Sequence, residues 1–147
     1  MKTSEKGLKL IKEFEWLRLE IYKCDAGVWT IGYGHTKGVN QNTKPITKEQ
    51  AEDLLKDDLK YFEDLVNDKK YVPQQINQNQ FDALVSFAFN LGGGNLKELC
   101  NDNYPPGQKT VAHIADEITL YNKVNKKTCQ GLVKRRTKEK QLFLGEI

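Results

Sequence analysis

A hydroxyl, a phenol and an imidazole lie close together in the segment Val28–Thr36, which reads VWTIGYGHT. They belong to Thr30, Tyr33 and His35. The glycines between them permit backbone conformations, and a close approach of the backbone to a ligand, that other residues resist. A carboxylate, Glu15, precedes the segment by thirteen residues. A glycine-bent strand end with an acidic residue nearby is a plausible place for chemistry on a polar substrate.

Glu15 is predicted at a helix end between Phe14 and Trp16. Apolar neighbours would favour the uncharged carboxyl, which can then act as a general acid. Cleavage of a glycosidic bond needs such an acid to protonate the leaving oxygen. It also needs a nucleophile, or a group that holds a water, on the opposite face of the sugar ring. Thr30 could hold that water, and Cys24 lies between the two in the sequence.

Each of these residues also has an ordinary structural interpretation. A glutamate near a helix end is usually solvated, a threonine in a strand is usually a good strand former, and a lone cysteine usually fills space. A bond from His35 to a backbone carbonyl explains that residue better than a role as catalytic base. From the residues alone both interpretations stay open, and the pattern indicates no more than a polar cleft in a small α+β domain.

Length and composition describe one ordinary domain of 147 residues, 38% hydrophobic and 29% charged. A formal net charge of +3 falls short of the basic bias of nucleic-acid binders, so no nucleic-acid partner is expected. No apolar run approaches the roughly 18 residues that span a bilayer, and the N-terminus does not resemble a signal peptide. The three cysteines form no CxxC pair, so no metal site is expected.

The N-terminal third predicts a helix followed by a small antiparallel sheet. Thr3 or Ser4 can cap the helix. Asp25-Ala-Gly27 is typical of a turn between the first two strands. In chain order the predicted elements are a helix over residues 4–15, strands over 18–22 and 28–33, and a third strand or a loop over 37–45.

Helical periodicity dominates from Thr47 onward. Thr47 and Gln50 form a capping box, and Asn77–Gln80 resembles a second capped start. The helix after Asn77–Gln80 is apolar over most of its girth and is predicted to be buried and central. The glycines at 92–94 are predicted to end it in a left-handed conformation. The other predicted helices cover residues 48–67, 95–101, 110–121 and 132–144.

Three blocks of the chain resemble the phage-type lysozymes, glycoside hydrolases that include the endolysins of tailed bacteriophages. The blocks are GLKLIKEFEWLRLEIYKCDAGVWTIGYGHT at 7–36, QFDALVSFAFNLGGGN at 80–95 and GLVKRRTKEKQLFL at 131–144. They occur in the family's order and are spread over most of the chain's length. Residues 96–111 fit poorly and are expected to form a variable loop region.

The resemblance implies a mainly helical, lysozyme-like α+β fold. A small antiparallel sheet would lie next to a helical lobe, with the active-site cleft between them. The whole chain, residues 1–147, would form one domain, with a sheet region at about 16–45 and a lobe at about 48–147 that includes the N-terminal helix. The implied reaction is hydrolysis of the β-1,4 bond between N-acetylmuramic acid and N-acetylglucosamine in peptidoglycan, without a cofactor.

The family's active site is a glutamate, then an aspartate or cysteine, then a threonine, and its spacing falls on Glu15, Cys24 and Thr30. The resemblance therefore implies that Glu15 is the general acid and that Thr30 orients the attacking water. Cys24 takes the position often held by an aspartate. A thiol replaces a carboxylate poorly unless it ionises. Asp25, next to Cys24, could supply the missing charge as an accessory acid. It ranks second because neighbouring residues of a strand face opposite sides.

Tyr33, Gly34 and His35 are implied to line the substrate site. The expected partner is a peptidoglycan glycan strand, with no stable membrane association, and the chain is expected to be a monomer. It would stay in the cytoplasm of a bacterial host until released to the wall. A catalytically silent peptidoglycan-binding module on the same scaffold is the alternative, because the aspartate is missing.

The basic run from Lys134 to Lys138 has two interpretations. Such a run usually forms the solvated face of a helix. Its positive charge could also attract the anionic cell wall through screened, salt-sensitive steering. The two interpretations are compatible.

Overall fold

Helices supply most of the regular structure, and short antiparallel strands supply the rest. The structure, a computed structural model, describes residues 1–147. The predicted α+β, mainly helical class is confirmed, and no helix combines the length and apolarity needed to cross a membrane. In chain order the elements are α1 (Glu5–Phe14), β1 (Arg18–Lys23), β2 (Trp29–Gly32), α2 (Lys48–Asn67), α3 (Gln78–Leu91), α4 (Gly93–Asn101), α5 (Val111–Ile118), β3 (Lys123–Val124), β4 (Lys127–Thr128) and α6 (Gln130–Phe143).

The chain forms two compact units. One comprises Ile11–Lys60, and the other comprises Met1–Leu10 together with Tyr61–Ile147. The boundaries therefore fall inside α1 and α2 rather than between the sheet and the helices. The single-domain organisation expected from the sequence stays a prediction.

The unit Ile11–Lys60 contains a two-stranded hairpin rather than a three-stranded sheet. Strands β1 and β2 are antiparallel, and Tyr22 pairs with Thr30. The segment over residues 37–45 is a loop, since its polar and turn-forming residues offer no apolar face to pack. The predicted capping box at the start of α2 is confirmed, because Thr47 Oγ1 accepts from the Gln50 N–H at 3.1 Å and Gln50 Oε1 accepts from the Thr47 N–H at 2.8 Å.

The second unit has α3 at its core. Residues 81–88 of this helix are all buried, which confirms the predicted central helix. Its capping box, Asn77 with Gln80, is also confirmed. Only the first of the three glycines has a left-handed backbone: Gly92, with φ +88°, ends α3, and Gly93 already begins α4.

The start of α1 is fixed by side chains from the second unit. Ser4, one of the two predicted caps, accepts a hydrogen bond from the Gly7 N–H at 3.3 Å. Its own N–H donates to Asp82 Oδ1 at 3.0 Å, and its hydroxyl donates to the other oxygen of that buried carboxylate. Thr3 instead donates to Glu63 through both its N–H and its hydroxyl. The helix is therefore anchored at the end opposite to Glu15.

The interpretation of Lys134–Lys138 as a solvated face is wrong at its two arginines. Arg135 and Arg136 are 3% and 0% exposed. Both guanidinium groups face the buried carboxylate of Glu139, at 3.3 Å from Arg135 Nε and 2.8 Å from Arg136 Nε. The Ser86 hydroxyl donates to the same carboxylate at 2.5 Å. Because the positions are three and four residues apart on α6, the three charged groups share one helix face, and the arginines cannot attract an external anion.

Removing one arginine of this cluster should destabilise the fold strongly. We expect Arg136→Met to lower the free energy of unfolding by about 3–5 kcal/mol, because it takes a counter-charge from a buried carboxylate. The matched control is Lys134→Met on the exposed side of the same helix, with an expected change of less than about 0.5 kcal/mol. Urea unfolding followed by circular dichroism measures both. Equal midpoints for the two variants would contradict the role of the cluster.

Candidate active site

The hairpin β1–β2 brings Cys24 and Thr30 together. Cys24 follows β1 directly, and its N–H donates to the Val28 carbonyl at 3.0 Å. Thr30 lies in β2 and is 3% exposed. Its hydroxyl donates to the same Val28 carbonyl at 2.9 Å. The carbonyl oxygen of Val28 therefore binds both Cys24 and Thr30.

The surroundings of Cys24 favour its thiolate. The N–H groups of Val28 and then Ala26 lower the pKa of the thiol because they donate to the sulfur. The Thr30 hydroxyl lowers it further, while partial burial and the neighbouring charge of Asp25 oppose the shift. The net direction is down from the usual thiol value. The shift is in the direction that a cysteine replacing a carboxylate requires.

The Thr30 hydroxyl serves two acceptors with one proton. It donates to the Val28 carbonyl in the structure, yet it also stabilises the Cys24 thiolate. A hydroxyl has one donor and two acceptor lone pairs, so it can satisfy only one of the two at a time. A Thr30 hydroxyl turned toward the sulfur therefore gives up its bond to the Val28 carbonyl. Whichever way the proton points, a lone pair of Thr30 stays available to accept a hydrogen bond.

Glu15 lies just beyond the end of α1, where its N–H still donates to the Ile11 carbonyl at 3.0 Å. The side chain is partly buried. Its Oε1 approaches Gly34 so closely that a Cβ on that glycine would lie 3.5 Å away. Gly34 also has φ +81°, a left-handed conformation that side chains disfavour. The glycine thus gives the carboxylate a backbone wall within the same unit.

The apolar enclosure expected around Glu15 is only partly present. The indole of Trp16 is 84% exposed, so it does not cover the carboxyl. Phe14 is partly buried. The expectation that Trp16 forms a wall is therefore wrong, because the chain leaves α1 at Phe14 and turns toward β1, carrying the indole into solvent.

The side chains of Tyr33 and His35 are less accessible than expected for residues that line a substrate site. Tyr33 is 5% exposed, which favours packing inside the unit over a broad contact with a ligand. The His35 Nδ1 lies 2.8 and 3.0 Å from the two oxygens of Asp58 on α2. Backbone bonds to Ile31 in both directions, each 2.9 Å, hold the same residue. The second ring nitrogen of His35, Nε2, is left for another partner.

Asp58 is the residue that sequence analysis missed. It lies 23 positions beyond His35, among several other acidic residues of α2. Nothing in its spacing distinguishes it from a solvated carboxylate. Asp25, the proposed accessory acid, lies exposed in the turn after Cys24. Its charge acts on the thiol, but no contact places it with Glu15.

Residues 12–139 match the model of the phage lysozyme family. The chain belongs to this family. It is 43% identical to an endolysin of Bacillus phage PZA over 97% of this chain and 55% of that protein. It is 42% identical to an endolysin of Acyrthosiphon pisum secondary endosymbiont phage 1 over 97% of this chain and 98% of that protein. The chain thus spans about half the length of the Bacillus phage relative.

A solved structure has the same fold. The muramidase domain of SpmX from Asticaccaulis excentricus is 35% identical and superposes with a TM-score of 0.85. The match covers 97% of each chain. The resemblance inferred from the three sequence blocks is therefore confirmed at the level of family and fold.

Alkylation should distinguish the thiols. Iodoacetamide reacts with thiolates, so Cys24 should be labelled at lower pH than a cysteine in the urea-unfolded chain. Burial raises the pKa of Cys100 to about 12, and this residue should stay unlabelled in the native protein. Thr30→Ala should move the Cys24 profile toward higher pH, because one donor to the thiolate is lost. Mass spectrometry of quenched peptides gives the profiles, and coincident native and unfolded profiles for Cys24 would refute the assignment.

Proposed function

We propose that this phage lysozyme family member is a muramidase that hydrolyses the β-1,4 bond between N-acetylmuramic acid and N-acetylglucosamine in bacterial peptidoglycan. The observation that carries the proposal is that Cys24 and Thr30 both donate to the Val28 carbonyl, in the same compact unit as Glu15. Family membership supports it, since one similar structure is described as a muramidase domain. Neither a metal nor a cofactor is part of the proposal.

Glu15 is the proposed general acid. Its carboxyl proton passes to the glycosidic oxygen as the bond between that oxygen and the anomeric carbon breaks, because an alkoxide is a poor leaving group. Gly34 has no side chain and so leaves open the space beside Oε1 of this carboxyl.

Cys24 and Thr30 are proposed to handle the attacking water. A lone pair of the Thr30 hydroxyl accepts a hydrogen bond from the water and orients it toward the anomeric carbon. As the new carbon–oxygen bond forms, the water proton passes to the Cys24 thiolate. The lowered pKa of that thiol supports this base role over a merely space-filling one. Asp25 stays second, acting through its charge on the sulfur.

The other expectations extend the same proposal. The partner is a glycan strand of the wall, and Gly34 and His35 lie next to the reacting groups as binding residues, with Tyr33 supporting them from inside the unit. The chain works as a monomer. It is held in the host cytoplasm until it is released to the wall.

Glu15→Gln tests the acid. We expect the initial rate of clearing of a peptidoglycan suspension to fall by at least about a hundredfold, because the amide cannot donate the required proton. The unfolding midpoint should change little. The matched control is Glu20→Gln, an exposed glutamate in β1 of the same unit, which should retain the full rate. Undiminished clearing by Glu15→Gln would remove Glu15 from the mechanism.

Substitutions at Cys24 and Thr30 test the water site. Cys24→Asp should keep or raise the rate, because a carboxylate replaces the thiolate as base. Thr30→Ala should lower kcat by about a hundredfold through misplacement of the water, and Thr30→Ser, which keeps the hydroxyl, should recover much of it. The assay is the release of new reducing ends from purified peptidoglycan. Wild-type rates in Cys24→Ala would eliminate the cysteine, and binding without any new reducing ends in the unaltered protein would favour the silent binding module.

A further inference from the structure

The hairpin β3–β4 displays unpaired positive charge. Residues 123–128 read KVNKKT and are all exposed. They include Lys123, Lys126 and Lys127 and no acidic residue. None of the three ammonium groups forms an ion pair with a carboxylate. Lys123 donates only to the Thr128 hydroxyl, at 3.3 Å.

This charge equals the formal excess of the whole chain. The net charge is +3, and the hairpin alone contributes three lysines. In the basic run on α6, Arg135 and Arg136 are buried against Glu139, so fewer of its charges reach solvent. A local cluster of exposed cations attracts polyanions at short range.

The backbone conformation at the turn of the hairpin is unfavourable for Lys126. Asn125 and Lys126 have φ values of +50° and +66°. Two consecutive left-handed residues in a two-residue loop are the pattern of a type I′ turn, for which Asn-Gly is preferred. Asparagine suits the first position, but lysine at the second has a steric cost that glycine avoids. Because Lys126 is exposed, packing does not account for this choice, and a locally unfavourable residue at an exposed site points to function.

We propose that β3–β4 is a docking surface for the carboxylates of the peptides attached to the peptidoglycan glycan strand. This inference rests on the proposed function, which makes peptidoglycan the substrate. A single exposed ion pair contributes little, but carboxylates that repeat along an insoluble polymer allow several weak contacts at once. The hairpin holds the enzyme at the wall between cleavage events, and its contribution is lost as salt screens the charges.

Two triple variants test the surface. One changes Lys123, Lys126 and Lys127 to Gln. The matched control changes three exposed lysines elsewhere, Lys9, Lys44 and Lys70, to Gln, and thus lowers the net charge equally. Sedimentation with purified, teichoic-acid-free peptidoglycan at low temperature and low salt should show the apparent Kd raised about tenfold for the hairpin variant. The control should stay within about twofold, and at roughly 1 M salt the difference should vanish. Equal weakening of both variants would overturn the proposal, since net charge rather than the hairpin would then act.

The chemistry of the partner is tested on the polymer. Amidation of the peptide carboxylates should weaken binding of the unaltered protein to the level of the hairpin variant. Binding that depends on the hairpin but survives amidation overturns the assignment to carboxylates. So does hairpin-dependent binding that appears only on walls that retain teichoic acid, because phosphodiesters would then be the ligand.

Lys126→Gly separates function from backbone preference. Glycine fits φ +66° and should raise the melting temperature, while loss of one charge should weaken binding to peptidoglycan about two- to threefold. A variant that is more stable and binds as well as the unaltered protein would contradict the docking role of Lys126.

The proposal can fail independently of the muramidase assignment. Hydrolysis of a soluble, peptide-free glycan of alternating N-acetylmuramic acid and N-acetylglucosamine should be unchanged in the hairpin variant and lost in Glu15→Gln. If the unaltered protein releases no reducing ends but binds through the hairpin, the proposed function fails and the docking surface stands. If the unaltered protein hydrolyses the glycan but its binding does not depend on the hairpin, the docking surface fails and the proposed function stands.

Discussion

The peptide groups of Val28 are the constraint on which the candidate site depends. The Val28 carbonyl accepts from the Cys24 N–H and from the Thr30 hydroxyl, and the Val28 N–H donates to the Cys24 sulfur. A backbone amide cannot be altered by substitution of its side chain, so this arrangement survives most changes at position 28. It lowers the pKa of the Cys24 thiol, because hydrogen bonds from fixed donors stabilise the thiolate.

Burial, rather than composition, decides which charged side chains of this protein face solvent. Two arginines of α6 share one buried glutamate inside the second unit, and Ser86 donates a further hydrogen bond to that carboxylate. The lysines of β3–β4 remain in solvent. A count of charges along the chain therefore overstates the positive charge that α6 presents to solvent, because two of its basic residues are buried. The distinction matters for any interaction with an anionic polymer, since buried charges steer nothing and exposed ones act only within a screening length.

Local patterns predicted the elements whose causes are local. The capping boxes at Thr47 and Asn77 were predicted correctly because they depend on hydrogen bonds within four residues. The burial of α3 was predicted correctly because this helix is apolar on nearly all sides. Residues 37–45, left open between a strand and a loop, form a loop, and the β3–β4 hairpin was not predicted. Strand pairing over two residues leaves no periodicity to detect. The turn between β3 and β4 has a lysine at the position where a glycine usually indicates a hairpin.

The sequence by itself determined the family, the mainly helical class and the spacing of Glu15, Cys24 and Thr30, because these depend on residue types at fixed separations along the chain. Tertiary structure decided how those residues are surrounded. It paired His35 with Asp58, exposed the Trp16 indole that was expected to enclose Glu15, and buried the arginines of the basic run. Such outcomes depend on contacts between residues remote in sequence, and the free energy of burying or exposing a charge depends on those contacts rather than on the identity of its neighbours along the chain.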